Sequence, residues 1–327
     1  IRRQRQMCIR DSATTPTATS AGPTSSNVVC TGFTPKSPPF IRLTGPSLLP
    51  ARPYPYGEPA AELQAGLART GLTDRQMTAQ PARDPVALIT GAGSGIGRAA
   101  ALMLAREGHR VALVGRDRSR LDRVAAEIGH SSVSTARAGL SMVVVADVGE
   151  ADACAGMVAQ AVRAWGRLDV VVSNAGWTPL TPIPEMDAAT ARRIFEVNAL
   201  GPVWTTIAAC RQFALQSPTG HPGRSPCIVN VSSRASTDPF AGLGVYGSAK
   251  AAVNTLSRAI ATECPGVRSF AVAPGAVETP LLRSLFPREE LPPERCLRPE
   301  DVARVILDCV LGAYDGQNGG TIVLESP

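Results

Sequence analysis

The sequence has little lysine and little histidine. Lys36 and Lys250 are its only lysines, it holds three histidines, and none of its eight cysteines forms a Cys-x-x-Cys pair. Without clustered histidines or paired thiols, a structural zinc site or other bound metal is not expected. The cysteines read as ordinary buried or surface thiols of a reducing compartment, and a cytoplasmic location follows from that reading. No run of about 18 apolar residues occurs, so no membrane-spanning helix is expected. Internal repeats at a fixed period are also lacking.

A basic stripe is missing too, although the formal charge of +6 suggests one. Residues 1–76 hold nine Lys+Arg and four acids, while the rest holds 24 and 23. The larger part is therefore almost neutral, and a nucleic-acid partner is not expected.

What is present divides into two regions. Residues 1–80 are rich in Pro, Ser, Thr and Gly without a sustained apolar period, and read as a disordered extension. Only Ala60–Leu72 suggests a short helix there. The stretch is acid-poor and contains Arg, Ser and Thr, as in an organelle transit peptide. Met77 is the competing native start, with the upstream residues translated from non-coding sequence. Residues 81–327 read as one catalytic domain.

From Val86 onward, short apolar runs alternate with longer amphipathic segments. Strands are predicted at Val86–Thr90, Val111–Gly115, Met142–Ala146, Val170–Ser173, Cys227–Val231, Ser269–Ala273 and Thr321–Leu324. Helices are predicted near 96–107, 118–129, 150–164, 187–215, 245–263 and 299–311. This alternation implies an α/β fold with right-handed crossovers, a doubly wound Rossmann-type parallel sheet of about seven strands. The strands are continuously apolar, which suits a sheet with helices on both faces.

The first strand runs into Thr90-Gly91-Ala92-Gly93-Ser94-Gly95-Ile96-Gly97. Glycines after a strand and before a helix let backbone N–H groups and a helix N-terminus approach a pyrophosphate. At the first crossover, this is the position a dinucleotide needs. The second strand ends in Gly115-Arg116, without the acid that an NAD site places on the ribose 2′-OH. Arg116 can instead grip a 2′-phosphate, which favours NADP(H) over NAD(H). Asp117 is expected to cap the next helix. A solvated surface arginine is the competing reading of Arg116.

In Val245-Tyr246-Gly247-Ser248-Ala249-Lys250, an i,i+4 helical spacing puts Tyr246 and Lys250 on one face. An ammonium roughly 5 Å from a phenol, at an effective dielectric of about 20, stabilises phenolate by about 3 kcal/mol. That is expected to lower the Tyr246 pKa towards a useful range. Lys250 is the single lysine of the larger region.

Together these residues resemble the short-chain dehydrogenase/reductase family, in its common single-domain branch, over about residues 84–327. Thr90 to Gly97 match TGxxxGxG, Asn174-Ala175-Gly176 match NAG, and Tyr246 with Lys250 match YxxxK. Asp147-Val148 stand where the family has an acid beside the adenine. Asn198 matches the family's helix asparagine, and Ser233 lies thirteen residues before the tyrosine. Pro274, Gly275, Val277 and Thr279 fall in a PGxxxT-like segment.

The resemblance implies hydride transfer between NADP(H) and a small alcohol or carbonyl substrate. Tyr246 is then the general acid or base, Lys250 its modulator and a ribose ligand, and Ser233 the partner of the substrate oxygen. Asn198 holds a water, and Thr279 contacts the carboxamide. Homodimer or homotetramer assembly is implied as well. Blander readings stand beside these. Ser232 competes with Ser233, Asp147 caps a helix near Glu150, and Asn174 ties strands together. The loop 280–298, with Leu281, Leu282, Leu285 and Phe286, is expected to form an apolar lid over a pocket lined by Trp177, Phe240 and Leu243. A catalytically silent dinucleotide-binding scaffold is the alternative function.

Overall fold

The computed structural model describes residues 84–131, 139–216 and 225–327, all within one compact unit. The readings made on residues 1–80, including the helix at Ala60–Leu72 and the Met77 start, lie outside the described residues.

Seven strands form one sheet: β1 Val86–Thr90, β2 Arg110–Gly115, β3 Ser141–Val145, β4 Val170–Ser173, β5 Cys227–Val231, β6 Arg268–Pro274 and β7 Thr321–Leu324. Their order is β3-β2-β1-β4-β5-β6-β7, and every neighbouring pair is parallel. The helices are α1 Gly95–Arg106, α2 Arg118–Ser131, α3 Ala151–Trp165, α4 Ala188–Phe195, α5 Gly201–Leu215, α6 Gly244–Glu263, α7 Pro280–Leu285 and α8 Pro299–Val310.

The apolar strand runs are explained by two cores. Side chains alternate across a strand, and β1 divides accordingly. Ala87 and Ile89 face a core completed by α1, α2 and α8, with Leu104, Leu121 and Ile306. Val86 and Leu88 face a second core with Met157 and Trp165 of α3 and Phe213 of α5. Both faces are covered, so no strand face needs polar residues.

The predicted helix at 187–215 differs from what forms. Asp187 caps α4 by accepting from Thr190 N, and a π-helical turn at Glu196–Leu200 separates α4 from α5. The predicted lid loop also contains a helix, α7. Thr279 accepts from Leu282 N at its start, and Pro280 occupies its first position, where a missing N–H costs nothing.

β1 pairs with β2 on one side and β4 on the other. The chain reverses direction across the sheet at this point. The crevice beyond the carboxyl ends of such neighbours is where open α/β sheets bind ligands.

Candidate active site

The glycine-rich turn is held by side chains rather than by its own backbone alone. The buried Thr90 hydroxyl accepts from Asn174 N at 2.9 Å and Ala175 N at 3.1 Å. Asn174 Nδ2 donates to Thr90 O at 2.9 Å and Gly91 O at 3.3 Å. The strand-tying reading of Asn174 is borne out. Gly91 sits at φ 67, and a Cβ there would lie 2.7 Å from Asn174 Nδ2, so both conformation and space demand glycine.

Ser94 precedes α1 without a side-chain cap, and the first turn holds no acid. The leading N–H groups of α1 therefore keep their capacity for an anion. Ser94, Gly95 and Ile96 border a cavity of about 780 Å³, together with Gly91, Asn174, Ala175 and Gly176. Thr90, Gly93 and Gly97 do not line it. Gly97 packs against Gly91, and Gly93 lies against Arg120.

At the ends of β2 and β3, Arg116 is exposed. Asp117 accepts from Ser119 Oγ at 2.7 Å and Arg120 N at 3.2 Å, so it caps α2 as expected. Asp147 accepts from Gly149 N at 2.9 Å and pairs with Arg193 of α4. Burial works to raise its pKa, but the Gly149 amide, Arg193 and Arg116 together hold the carboxyl below the ordinary range. No side-chain cap from Asp147 starts α3, which follows Glu150. Val148 is buried in the second core. Arg116, Asp147 and Val148 all lie outside the lining of the cavity.

The reactive residues converge on that cavity. Ser232 and Ser233 follow β5, and both border it. The Ser232 hydroxyl is committed to Lys250 O at 3.1 Å. Ser233 Oγ accepts from Ala235 N at 3.2 Å and is also a hydrogen-bond partner of Tyr246. Tyr246 and Lys250 share one face of α6, with Nζ 5.7 Å from the ring centroid. Lys250 is buried and donates to Val231 O at 2.7 Å.

The expected lowering of the tyrosine pKa is not what these groups produce. Burial pushes the Tyr246 phenol up to about 12, although the ring keeps an open edge on the cavity and the Ser233 hydrogen bond pulls the other way. Burial pushes the Lys250 ammonium down to about 8. Desolvation, which residue spacing does not reveal, disfavours both charged forms.

Asn198 is fully buried in the π-helical turn. Its Nδ2 donates to Trp177 O at 2.6 Å and Ile194 O at 2.8 Å, and its Oδ1 accepts from Trp177 N at 3.2 Å. Gly176 separates it from Lys250. A Cβ there would lie 3.0 Å from Asn198 Oδ1 and 3.9 Å from Nζ.

Pro274, Gly275, Val277 and Thr279 border the cavity, as do Phe240, Leu243, Leu281, Leu282, Leu285 and Phe286. Trp177 does not, and instead packs against the second core. The lid is anchored by Arg283, which binds Glu278 through both carboxylate oxygens and donates to Leu291 O at 2.7 Å. Glu278 thus has a role in holding the lid.

The sequence reading also missed Glu325, Ser326 and Pro327, which line the same cavity. Ser326 Oγ accepts from Ala276 N at 2.7 Å, and Glu325 pairs with Arg234. The available signal was the direction of β7. A strand parallel to β6 delivers the residues after Leu324 to the ligand-binding edge.

These features define a doubly wound dinucleotide-binding fold with a Ser, Tyr and Lys cluster at its switch point. The model of the short chain dehydrogenase family matches residues 85–290, and the chain belongs to that family. It is an NAD(P)-dependent oxidoreductase acting on CH–OH or C=O groups.

A granaticin polyketide synthase putative ketoacyl reductase 2 of Streptomyces violaceoruber is 36% identical over 242 residues, covering 70% of this chain and 91% of that protein. The structure of a 3-ketoacyl-(acyl-carrier-protein) reductase from Brucella melitensis complexed with NADH aligns with a TM-score of 0.65 at 27% identity, covering 73% and 96%. An alcohol dehydrogenase from the archaeon Thermococcus sibiricus complexed with 5-hydroxy-NADP aligns with a TM-score of 0.63 at 29% identity, covering 74% and 96%. Among the described residues, no helix is long and apolar enough to cross a membrane.

Proposed function

We propose that residues 81–327 form one catalytic domain that reduces small apolar ketones, or oxidises the matching alcohols, with NADP(H) preferred over NAD(H). The observation that carries this reading is the convergence of Ser233, Tyr246 and Lys250 on one cavity with an apolar lid.

The residues fit a dinucleotide. The uncapped start of α1 offers N–H groups to a pyrophosphate, and Gly91 and Gly95 leave backbone accessible. Arg116 suits a 2′-phosphate, Asp147 the adenine, and Thr279 the nicotinamide end. When bound, the cofactor supplies or accepts the hydride.

Tyr246 is the general acid of the reduction. A phenol pushed up to about 12 is protonated at neutral pH, so it can give its proton to the substrate oxygen as charge develops there. Ser233 Oγ stands beside Tyr246 and donates to that same oxygen. Lys250, still largely protonated at pH 7 with a pKa near 8, favours the phenolate left behind. Asn198 has both amide hydrogens committed, and its Oδ1 keeps a lone pair that can hold a water on the path from Lys250 to solvent.

The test is a steady-state screen of ketones and aldehydes with NADPH and NADH, with Tyr246→Phe alongside. The expected result is turnover with NADPH preferred, falling about 100-fold or more in Tyr246→Phe, with cofactor binding retained. Cofactor binding without turnover on a broad panel would sink the assignment of substrates. Full activity in Tyr246→Phe would sink the mechanism.

A further inference from the structure

Six cysteines fall among the described residues. Cys154 directs its sulfur at Val148 O at 3.4 Å, Cys296 at Pro292 O at 3.6 Å, and Cys227 at Cys309 O at 4.0 Å. Cys210 and Cys264 behave differently: their sulfurs lie 3.1 Å apart. Cys210 is on α5, and Cys264 follows the last residue of α6. Both are only partly buried, so a small oxidant can reach them. A disulfide has an S–S distance of about 2.05 Å, so a gap of roughly 1 Å remains between the two sulfurs.

We propose that Cys210 and Cys264 form a reversible disulfide that staples α5 to the end of α6. The oxidant is a hydroperoxide. Two thiols give up two protons and two electrons. The peroxide O–O bond breaks, its oxygens leave as water and an alcohol (two waters for hydrogen peroxide), and one S–S bond forms. A dithiol reductant reverses the step.

Placement tells what the staple does. α5 continues from the π-helical turn that holds Asn198, and α6 carries Tyr246 and Lys250 near its start. The pair joins these two helices at the end of α6 remote from Tyr246. The bond closes a loop with a sequence separation of 54, which restricts the unfolded chain substantially. The expected result is a gain in Tm of roughly 5–10 °C, with turnover changed less than about twofold.

The test is treatment of the full chain with one equivalent of hydrogen peroxide, followed by alkylation, proteolysis and peptide mass spectrometry. The expected species is a peptide containing Cys210 joined to one containing Cys264, two hydrogen masses lighter than their sum and split by dithiothreitol. Cys210→Ser and Cys264→Ser should each lose both the joined peptide and the gain in Tm. The proposal is overturned if the mapped disulfides join other cysteines, or if peroxide leaves both thiols open to alkylation. It is equally overturned if either serine variant keeps the gain in Tm. Folding of the variants is checked by their reduced melting curves. Should one fail to fold, the other and the wild-type peptide map still decide.

Discussion

Gly97→Ala sets two effects of opposite sign against each other. Gly97 lies in the first turns of α1, where alanine is intrinsically better than glycine by about 1 kcal/mol. Against this, the added Cβ would stand 2.3 Å from Gly91 O, 2.5 Å from Asn174 Nδ2 and 2.8 Å from Gly91 C. Two of those atoms are backbone, so no side-chain rotation relieves the contact. Either α1 moves off β1, or the Gly91 turn shifts and strains the Asn174 bonds to Thr90 O and Gly91 O. Overpacking costs about 1–3 kcal/mol, and each weakened hydrogen bond about 0.5–1.5. The net is a destabilisation of about 2–4 kcal/mol, or roughly 5–15 °C in Tm for a domain of this size.

Gly156 on α3 is the control, because a Cβ there meets nothing within 4 Å. Gly156→Ala should keep the propensity gain and raise Tm by about 1–3 °C. Differential scanning calorimetry of both variants decides. A Gly97→Ala protein that melts at or above wild type would refute the close approach as the reason for glycine.

Other outcomes follow from the same geometry. With Lys250 near 8 and Tyr246 near 12, the phenol stays protonated across the assay range while the ammonium is lost first. The rate of reduction should therefore fall about tenfold per unit above pH 8 in a stopped-flow pH series, and a flat profile to pH 10 would contradict the role of Lys250. Stability carries the opposite sign. Between about 8 and 10.5 the unfolded lysine holds a proton that the folded one has released, so the Lys250 contribution rises with pH in that window. Arg116→Ala should weaken NADPH binding by about 10-fold, the worth of one charge-assisted contact, and leave NADH unchanged in fluorescence titrations. Arg283→Met removes the bonds to Glu278 and Leu291 O that hold the lid, and should raise the substrate KM several-fold more than it lowers kcat.

The ease of reading the sheet has a physical source. β1, β4 and β5 begin and end where their apolar runs do, because both faces of each meet a core. β7 does so too, with Ile322 and Leu324 on one core and Val323 exposed on the other face. β2, β3 and β6 each start one residue earlier than predicted. Arg110, Ser141 and Arg268 are polar, but their backbones still join the ladder, and backbone pairing leaves no trace in hydropathy. α7 has only six residues, too few to show a helical period, although Thr279-Pro280 is the start signal that was there to be read. The pKa values were the least legible. Spacing reveals that Lys250 neighbours Tyr246, but not that both lie in a desolvated pocket, and desolvation dominates the outcome.

Asn198 shows how far a local exception can hide in a regular pattern. A π-helical turn adds one residue to a helix, so the apolar period through 187–215 is displaced only slightly and reads as unbroken. The extra residue changes which carbonyls the helix itself can satisfy, and Asn198 Nδ2 takes up Ile194 O, four residues earlier. The rest of the amide pairs with both polar groups of the Trp177 backbone, which fixes the segment that begins at Asn174 and passes Lys250 at Gly176. One buried amide therefore joins the interrupted helix, the segment after β4 and the face of α6 that carries Tyr246 and Lys250. An asparagine set between the apolar Val197 and Ala199 was the sign of this in the sequence. Its meaning depends on the widened turn that lets it point inward.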